Sequence, residues 1–508
     1  MIRYVKVREG NTGILYITEE SGKQERYIPD YDLDKARNLL LEFQELKDTK
    51  GNVLKDNYRL DGYNWYPTMV SYLYWRLFFQ YIKYKPLVDQ AIDKEIDFEF
   101  GNQREFYRLI NLIRGEDNYV SLKTKLFYNI VELNNLLVIK RNPAQLLFFR
   151  FSVNDFRSIE IKRTLDELQA EYIQVLPPTR IVDALKNLFR ARPFYFLGGV
   201  SSKRVFNQNY DLSEFDRYKA FLFGRTVDKL EWSISNFLVE YRKHLKLLQK
   251  TRIKTFYGLD DGDIFPILYA CQKNGIKTIG HQHGAYVRRR ACVVKEAITR
   301  GGFRWFDKII VWGDYWRDHV LRISNVYSPE MFVVGSNKLS FDCGFSNSSN
   351  PKPKNILIPY EFLTNTYKIG RYMIKFMDLG YNVYFKPRTD EKLADQLEAY
   401  CLPQDYLNRI NIVEKIDNNL MANIDIIAGT MTTLIYELLP YKKIIWVLDT
   451  EYRHLEDLVE GGYAQKVRYE DLDTLDESYF KRTEVDAHYF FNPETLRETL
   501  SKHVLSLR

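Results

Sequence analysis

The chain has 508 residues, 45% of them hydrophobic and 28% charged, which excludes a disordered or fibrous polypeptide and leaves room for two or three domains. The net charge of +7 is spread without a dense Lys/Arg stripe, so nucleic acid is not an expected partner, while phosphorylated ligands or an anionic membrane surface are. Four scattered cysteines (Cys271, Cys292, Cys343 and Cys401) form no CxxC pair, which excludes a disulfide framework or zinc site and points to a reducing compartment.

Residues 1–140 read as an α-rich appended region. Alternation over Gly13-Ile14-Leu15-Tyr16-Ile17-Thr18 predicts a small β element, and helical periodicity follows over 33–46 and 69–92. The aromatic-rich stretch 72–84 is interrupted by Arg76, Gln80 and Lys83, and no run of about 18 apolar residues occurs anywhere, so no membrane span is expected. Met1 to Arg8 lack the apolar core of a secretion signal, and the expected location is cytoplasmic.

From about 144 the texture changes to strands alternating with helices. Strands are predicted over 146–151, 172–175, 194–197, 254–257, 276–280 and 308–311, with a helix N-cap region at Ser152-Val153-Asn154-Asp155. A second series follows over 331–334, 355–359, 382–385, 410–413, 424–428 and 444–448. This βαβ texture predicts parallel sheets covered on both faces. The expected fold class is α/β, with two Rossmann-like domains facing a cleft: 141–326 on the acceptor side and 327–475 on the donor side. Residues 476–508 read as a closing helical segment.

Four motifs fall at the carboxyl ends of predicted strands, where open α/β sheets hold ligands. Asp260-Asp261-Gly262-Asp263 follows one first-series strand, and adjacent carboxylates push one pKa upward, as a general base requires. Asp261 or Asp263 serves equally well as a cap for the helix starting near Phe265. Gly280-His281-Gln282-His283-Gly284 follows the next strand. On an extended segment His281 and His283 share a side, with Gln282 opposite, and Gly284 lets backbone approach a ligand. The alternative is a turn with a hydrogen-bonded structural histidine. Lys386-Pro387-Arg388 ends a second-series strand, where two cations suit a diphosphate or form a solvated pair. Gly429-Thr430-Met431-Thr432-Thr433 opens a helix whose free amides and hydroxyls suit phosphate. An ordinary threonine cap is the bland reading.

In order and placement these motifs, with Glu437, resemble glycosyltransferases of the GT-B fold over roughly residues 250–465, and within them the bacterial capsule and teichoic-acid group: polysialyltransferases, Kdo transferases and CDP-glycerol glycerophosphotransferases. The resemblance implies a nucleotide-activated sugar or polyol phosphate as donor and no resident cofactor. It further implies a glycan or lipid-linked glycan acceptor, and the positive charge and aromatic richness point to peripheral contact at an anionic membrane. It implies His283, ahead of Gly284, as the base, with Asp260 and Asp261 as rivals. The donor-binding set is Lys386, Arg388, Gly429, Thr430, Thr432, Thr433 and Glu437 on the ribose, and Glu361, after the strand predicted over 355–359, is expected to face the nucleotide base. His281, Gln282, Gly284 and Arg288 complete the acceptor wall; the run from Arg288 also reads as a solvated charge cluster. One departure stands out: the polysialyltransferase-like pattern has His-Pro where this chain has Lys386-Pro387, and lysine neutralises phosphate but cannot act as a neutral donor. The fold that the resemblance implies requires no metal, so metal independence is expected. A UDP-sugar 2-epimerase-like isomerase and a catalytically silent binding protein are the competing readings.

Overall fold

A computed structural model describes residues 2–10, 13–115, 122–150, 155–177, 194–201, 203–249, 251–260, 264–286, 305–323, 327–336, 353–361, 364–388, 391–450, 454–482 and 484–506. Asp261, Asp263 and Arg288 lie outside these residues.

The first 100 residues build a four-stranded sheet from β1 (Arg3–Glu9), β2 (Leu15–Glu19), β3 (Gln24–Tyr27) and β4 (Ile96–Phe100), in the order β3-β2-β1-β4. The β1–β4 pair is parallel and the others antiparallel. The appended region therefore carries more sheet than its sequence suggests. In β1 alternate residues are buried and the others solvated, so a charged outer face dilutes the strand signal. Helices α1 (Phe79–Ile92) and α2 (Glu105–Arg114) pack beneath this sheet.

The central sheet comprises β5 (Leu146–Phe149), β6 (Tyr172–Leu176), β7 (Phe194–Phe196), β8 (Thr255–Leu259), β9 (Lys277–His281), β10 (Lys308–Val311) and β11 (Phe332–Val334). Every pairing is parallel and the order is β11-β10-β9-β8-β5-β6-β7. The second sheet comprises β12 (Asn355–Pro359), β13 (Asn382–Lys386), β14 (Asn411–Ile412), β15 (Ile426–Gly429), β16 (Ile444–Leu448) and β17 (Gln465–Val467), all parallel, in the order β14-β13-β12-β15-β16-β17. Each sheet winds outward from its first strand in both directions, giving the doubly wound order of a Rossmann-like unit and one switch point, at β5/β8 and at β12/β15. Continuous burial of Leu146–Phe149, Thr255–Leu259 and Ile444–Leu448 matches sheets covered on both faces.

One strand departs from expectation. Residues 331–334, read as the opening strand of the second series, instead pair with β10 as the edge of the central sheet, Ile310 opposite Val333. The crossing to the second sheet thus comes after Val334. The closing helices return to the central sheet: Leu500 and Val504 pack with Leu146, Tyr257 and Ile310, and Thr499 Oγ1 accepts from the Ser336 amide at 2.8 Å.

The two sheets meet along buried contacts. The Trp316 and Tyr436 rings lie 5.0 Å apart, and His319 Nε2 is 3.2 Å from Asp457 Oδ2. The appended region touches both. Tyr63 stacks on Tyr269 at 4.1 Å beside the central sheet. Tyr16 donates to Glu398 at 2.6 Å, and Arg26 to Cys401 at 2.9 Å, beside the second.

Candidate active site at the switch points

A cavity of about 1220 Å³ opens where the three parts converge. Its central-sheet wall follows the carboxyl ends of successive strands: Phe149 on β5, Pro177 after β6, Gly198 and Gly199 after β7, and His283 to Ala285 after β9. Met431, Thr433 and His454 face it from the second sheet. The third wall, including Tyr31, Trp75, Phe79, Lys83 and Arg104, comes from the appended region, where the sequence offered no catalytic pattern.

Of the two histidines in the Gly280–Gly284 motif, His283 is the one that lines the cavity. Strand β9 ends at His281, so the alternation expected to align the two imidazoles stops there, and His283 turns toward the space beside Asp155. Its Nε2 lies 3.7 Å from Asp155 Oδ1. Asp155 caps α3 (Phe156–Glu167) by accepting from the Ser158 amide at 2.7 Å. Burial pushes its carboxyl up, but the neighbouring imidazole and the Ser158 amide outweigh this and hold it at about 2. A permanently charged carboxylate beside Nε2 favours the tautomer with its proton there and the lone pair on Nδ1. The sequence marked Asp155 as a cap; its second role needed the fold.

The other histidine-loop residues hold this one in place. His281 Nε2 donates to the Ser336 carbonyl at 2.9 Å and Nδ1 accepts from Tyr257 at 2.8 Å. Burial pulls its pKa down to about 4, so it stays neutral at physiological pH. Its expected contact with substrate is replaced by this structural one, because it shares the Ile279 face of β9 and points into the helix-covered core. Gln282 likewise turns from substrate to scaffold. Its Oε1 accepts from the Trp312 amide at 3.0 Å, its Nε2 donates to the Gly284 carbonyl at 3.0 Å, and its own carbonyl accepts from the Trp312 indole at 3.0 Å. Asp260, a base candidate, has both oxygens committed: Oδ1 accepts the His283 amide at 2.7 Å and Oδ2 the Tyr286 hydroxyl. It positions the loop and does not face the cavity as a base.

At the second switch point the expected phosphate nest is occupied from within. Glu361 follows β12 and is buried; its Oε1 accepts from the amides of Thr430, Met431 and Thr432 at 2.8, 2.8 and 3.0 Å. Oε2 takes the Thr430 hydroxyl. This carboxylate sits where a phosphate was expected, so Glu361 does not face a nucleotide base, and these amides are not open to a phosphate while it remains. Gly429 permits this seat, since a Cβ there would lie 2.8 Å from Glu361 Oε1. Thr432 caps α4 (Thr433–Leu438) through the Leu434 amide at 3.3 Å. Thr433 reaches across to accept the Ala285 amide at 3.3 Å.

Glu437 spans the sheets as well. Its Oε1 meets Arg157 Nη2 at 3.3 Å, and that guanidinium lies 5.7 Å over the Trp312 ring. Arg157 lines the cavity and Glu437 does not, so the expected ribose ligand is a clasp, and Arg157 is the cation sequence reasoning missed. Lys386 ends β13 with its ammonium donating to the Pro387 carbonyl at 2.7 Å, and burial lowers its pKa. The Arg388 backbone is pinned to Gln396 at 2.9 Å. Neither borders the cavity. Among the described residues no group of His, Cys, Asp or Glu forms a metal-binding cluster, and no helix is long and apolar enough to cross a membrane.

No family model matches the sequence, and no curated protein matches it. Among solved structures the chain is similar to Acinetobacter baumannii MurG at 13% identity, TM-score 0.37, covering 66% of this chain and 89% of that one. It is also similar to Methanocaldococcus jannaschii UDP-GlcNAc 2-epimerase in complex with UDP-GlcNAc and UDP (13%, TM-score 0.40, 72% and 99%). A third likeness is to the calicheamicin glycosyltransferase CalG4 (11%, TM-score 0.39, 65% and 87%). These likenesses assign no chemistry to this chain.

Proposed function

We propose that the protein transfers a glycosyl or polyol-phosphate group from a nucleotide-activated donor to a hydroxyl acceptor, with His283 as general base. The observation that carries this reading is the His283–Asp155 pair, set on one wall of the cavity at the carboxyl ends of both parallel sheets. The acceptor hydroxyl gives its proton to His283 as its oxygen bonds to the transferred carbon or phosphorus. The bond to the nucleotide breaks and the departing phosphate takes the electron pair. Asp155 stabilises the imidazolium and keeps its orientation. Arg157, on the cavity wall between the sheets, supplies positive charge for the leaving group. The motif order supports the finer reading, in which the acceptor is a glycan or lipid-linked glycan of a bacterial surface polymer and the protein works at the inner membrane face.

The test begins with thermal shifts against CMP, CDP, UDP, GDP and dTDP, since a ligand of the native state raises its melting temperature. With the matching donor, His283→Ala should lower turnover by roughly 10²–10⁴ while nucleotide affinity stays near normal. A flat screen, or near-normal turnover in the variant, rejects the reading. Conversion of the donor to an epimer with no acceptor present would assign an isomerase instead.

A further inference from the structure

Lys83 stands out in the wall contributed by the appended region. It sits on α1, is only 6% exposed, and lines the cavity. Among the described residues its ammonium makes no hydrogen bond and no ion pair. It rests instead against the rings of Tyr84, Tyr31 and Phe79, at 5.0, 5.5 and 5.7 Å from their centroids. Glu9, the acid that pulls on it most, is already engaged: its carboxylate accepts the Phe106 amide at 2.7 Å and the Tyr84 hydroxyl at 3.1 Å. Burial outweighs the pull of Glu9 and Glu105 and brings the Lys83 pKa down to about 8. A cation held out of water without a hydrogen-bond acceptor is costly, and an incoming oxyanion would repair that deficit.

A second cation lies on the same wall. Glu105 pairs with Arg76 and, at 2.8 Å, with Arg108. Arg104, which also lines the cavity, has no ion-pair partner among the described residues. The same lining includes Trp75, a partly exposed ring of the kind on which sugar rings stack.

We infer that Lys83 and Arg104 form an anion subsite for an acidic acceptor, a sugar or polyol bearing a carboxylate or phosphate whose hydroxyl reaches His283 across the cavity. The anion binding follows from the wall alone; its assignment to the acceptor rests on the proposed transferase function. Calorimetric titration with D-glucuronate and with glycerol 1-phosphate separates the two anion chemistries, and glucose and glycerol serve as neutral controls. At least one acidic probe should bind saturably to the wild type, and the neutral ones should not. Lys83→Met keeps the apolar stem and should weaken that binding at least about 10-fold; Arg104→Ala, on an exposed side chain, should weaken it several-fold. Nucleotide thermal shifts should be unchanged in both variants. Failure of both acidic probes to bind, equal binding of glucose and glucuronate, or unaltered binding in Lys83→Met overturns the subsite. If Lys83→Met does not fold, unaltered binding in Arg104→Ala overturns it by the same criterion. Acidic-probe binding that depends on Lys83, alongside a flat nucleotide screen, keeps the subsite and removes the transferase.

Discussion

Removing the Glu361 carboxylate tests whether the second switch point is held shut from within. Glu361→Ala strips the acceptor from three amides and one hydroxyl, those of Thr430, Met431 and Thr432. At about 1 kcal/mol net per donor, with water recovering part of the loss, the variant should lose about 3 kcal/mol. That corresponds to a fall in Tm of roughly 6–12 °C for a unit of this size. Glu361→Gln should behave differently. Its amide oxygen can take the place of Oε1 before the three amides. Its NH2 can donate to Thr430 Oγ1 once that hydroxyl turns its proton from the lost Oε2 to Thr364 Oγ1, 3.1 Å away. The Gln variant should therefore stay within about 1 kcal/mol of wild type at neutral pH. Burial raises the Glu361 pKa above the usual carboxylate value, the amide bonds offsetting only part of it. The folded state thus keeps that proton longer than the unfolded one, and wild-type stability falls as pH rises through that interval. Glu361→Gln lacks this component. Differential scanning fluorimetry across pH, with and without excess acetate, reads all of this, and acetate should restore part of the stability of Glu361→Ala. An Ala variant melting with the wild type, or a Gln variant as unstable as Ala, refutes the reasoning.

His281 predicts an acid sensitivity of opposite sign. Its folded pKa of about 4 lies below the ordinary value, so stability is lost as pH drops from about 6.5 toward 4, by up to about 3 kcal/mol; His281→Gln should flatten that part of a pH–Tm profile. In the interlobe clasp, Glu437→Gln should leave Arg157 charged without its partner and weaken closure, seen as a larger radius of gyration by small-angle scattering. No change in scattering would show that the clasp does not hold the sheets together.

The strands that read most clearly were those buried on both faces. Asn355–Pro359, Ile444–Leu448 and Lys308–Val311 fall where their continuous apolar runs place them. The ends slip by a residue or two, as at Ile426–Gly429, because fading pairing at a strand terminus leaves no mark in composition. Phe332–Val334 went to the wrong sheet for another reason: a three-residue strand carries no record of which edge it joins. In the site, the sequence brought His283 and Thr433 to facing ends of strands but could not see that Glu361, 69 residues from Thr430, fills the nest between them. Lys83 registered only as a break in an aromatic stretch. Its spacing of four from Phe79 does put both on one helix face, and that face turns inward.

The appended region also bears on how the molecule could move. A body that touches both sheets cannot stay fixed to both if they rotate apart, so one attachment must slip. Toward the central sheet the attachment is a stack of buried aromatic rings, with Tyr63 on Tyr269 and Trp65 at 5.2 Å from the same ring. Toward the second sheet an inner contact sets the Trp75 ring 6.2 Å from that of His454, and the outer attachment is a polar seam at the surface, where Arg8 reaches Glu398 at 3.9 Å with both side chains more than half exposed (58% and 51%). Solvated pairs of this kind contribute little, so a parting of the sheets would open most readily along the seam at Glu398 and Cys401. Lys83, Arg104 and His283 would then stay on one side of the opening with their spacing unchanged. Met431, Thr433 and the Glu361-filled nest would move off on the other, and the cavity would widen at that wall alone.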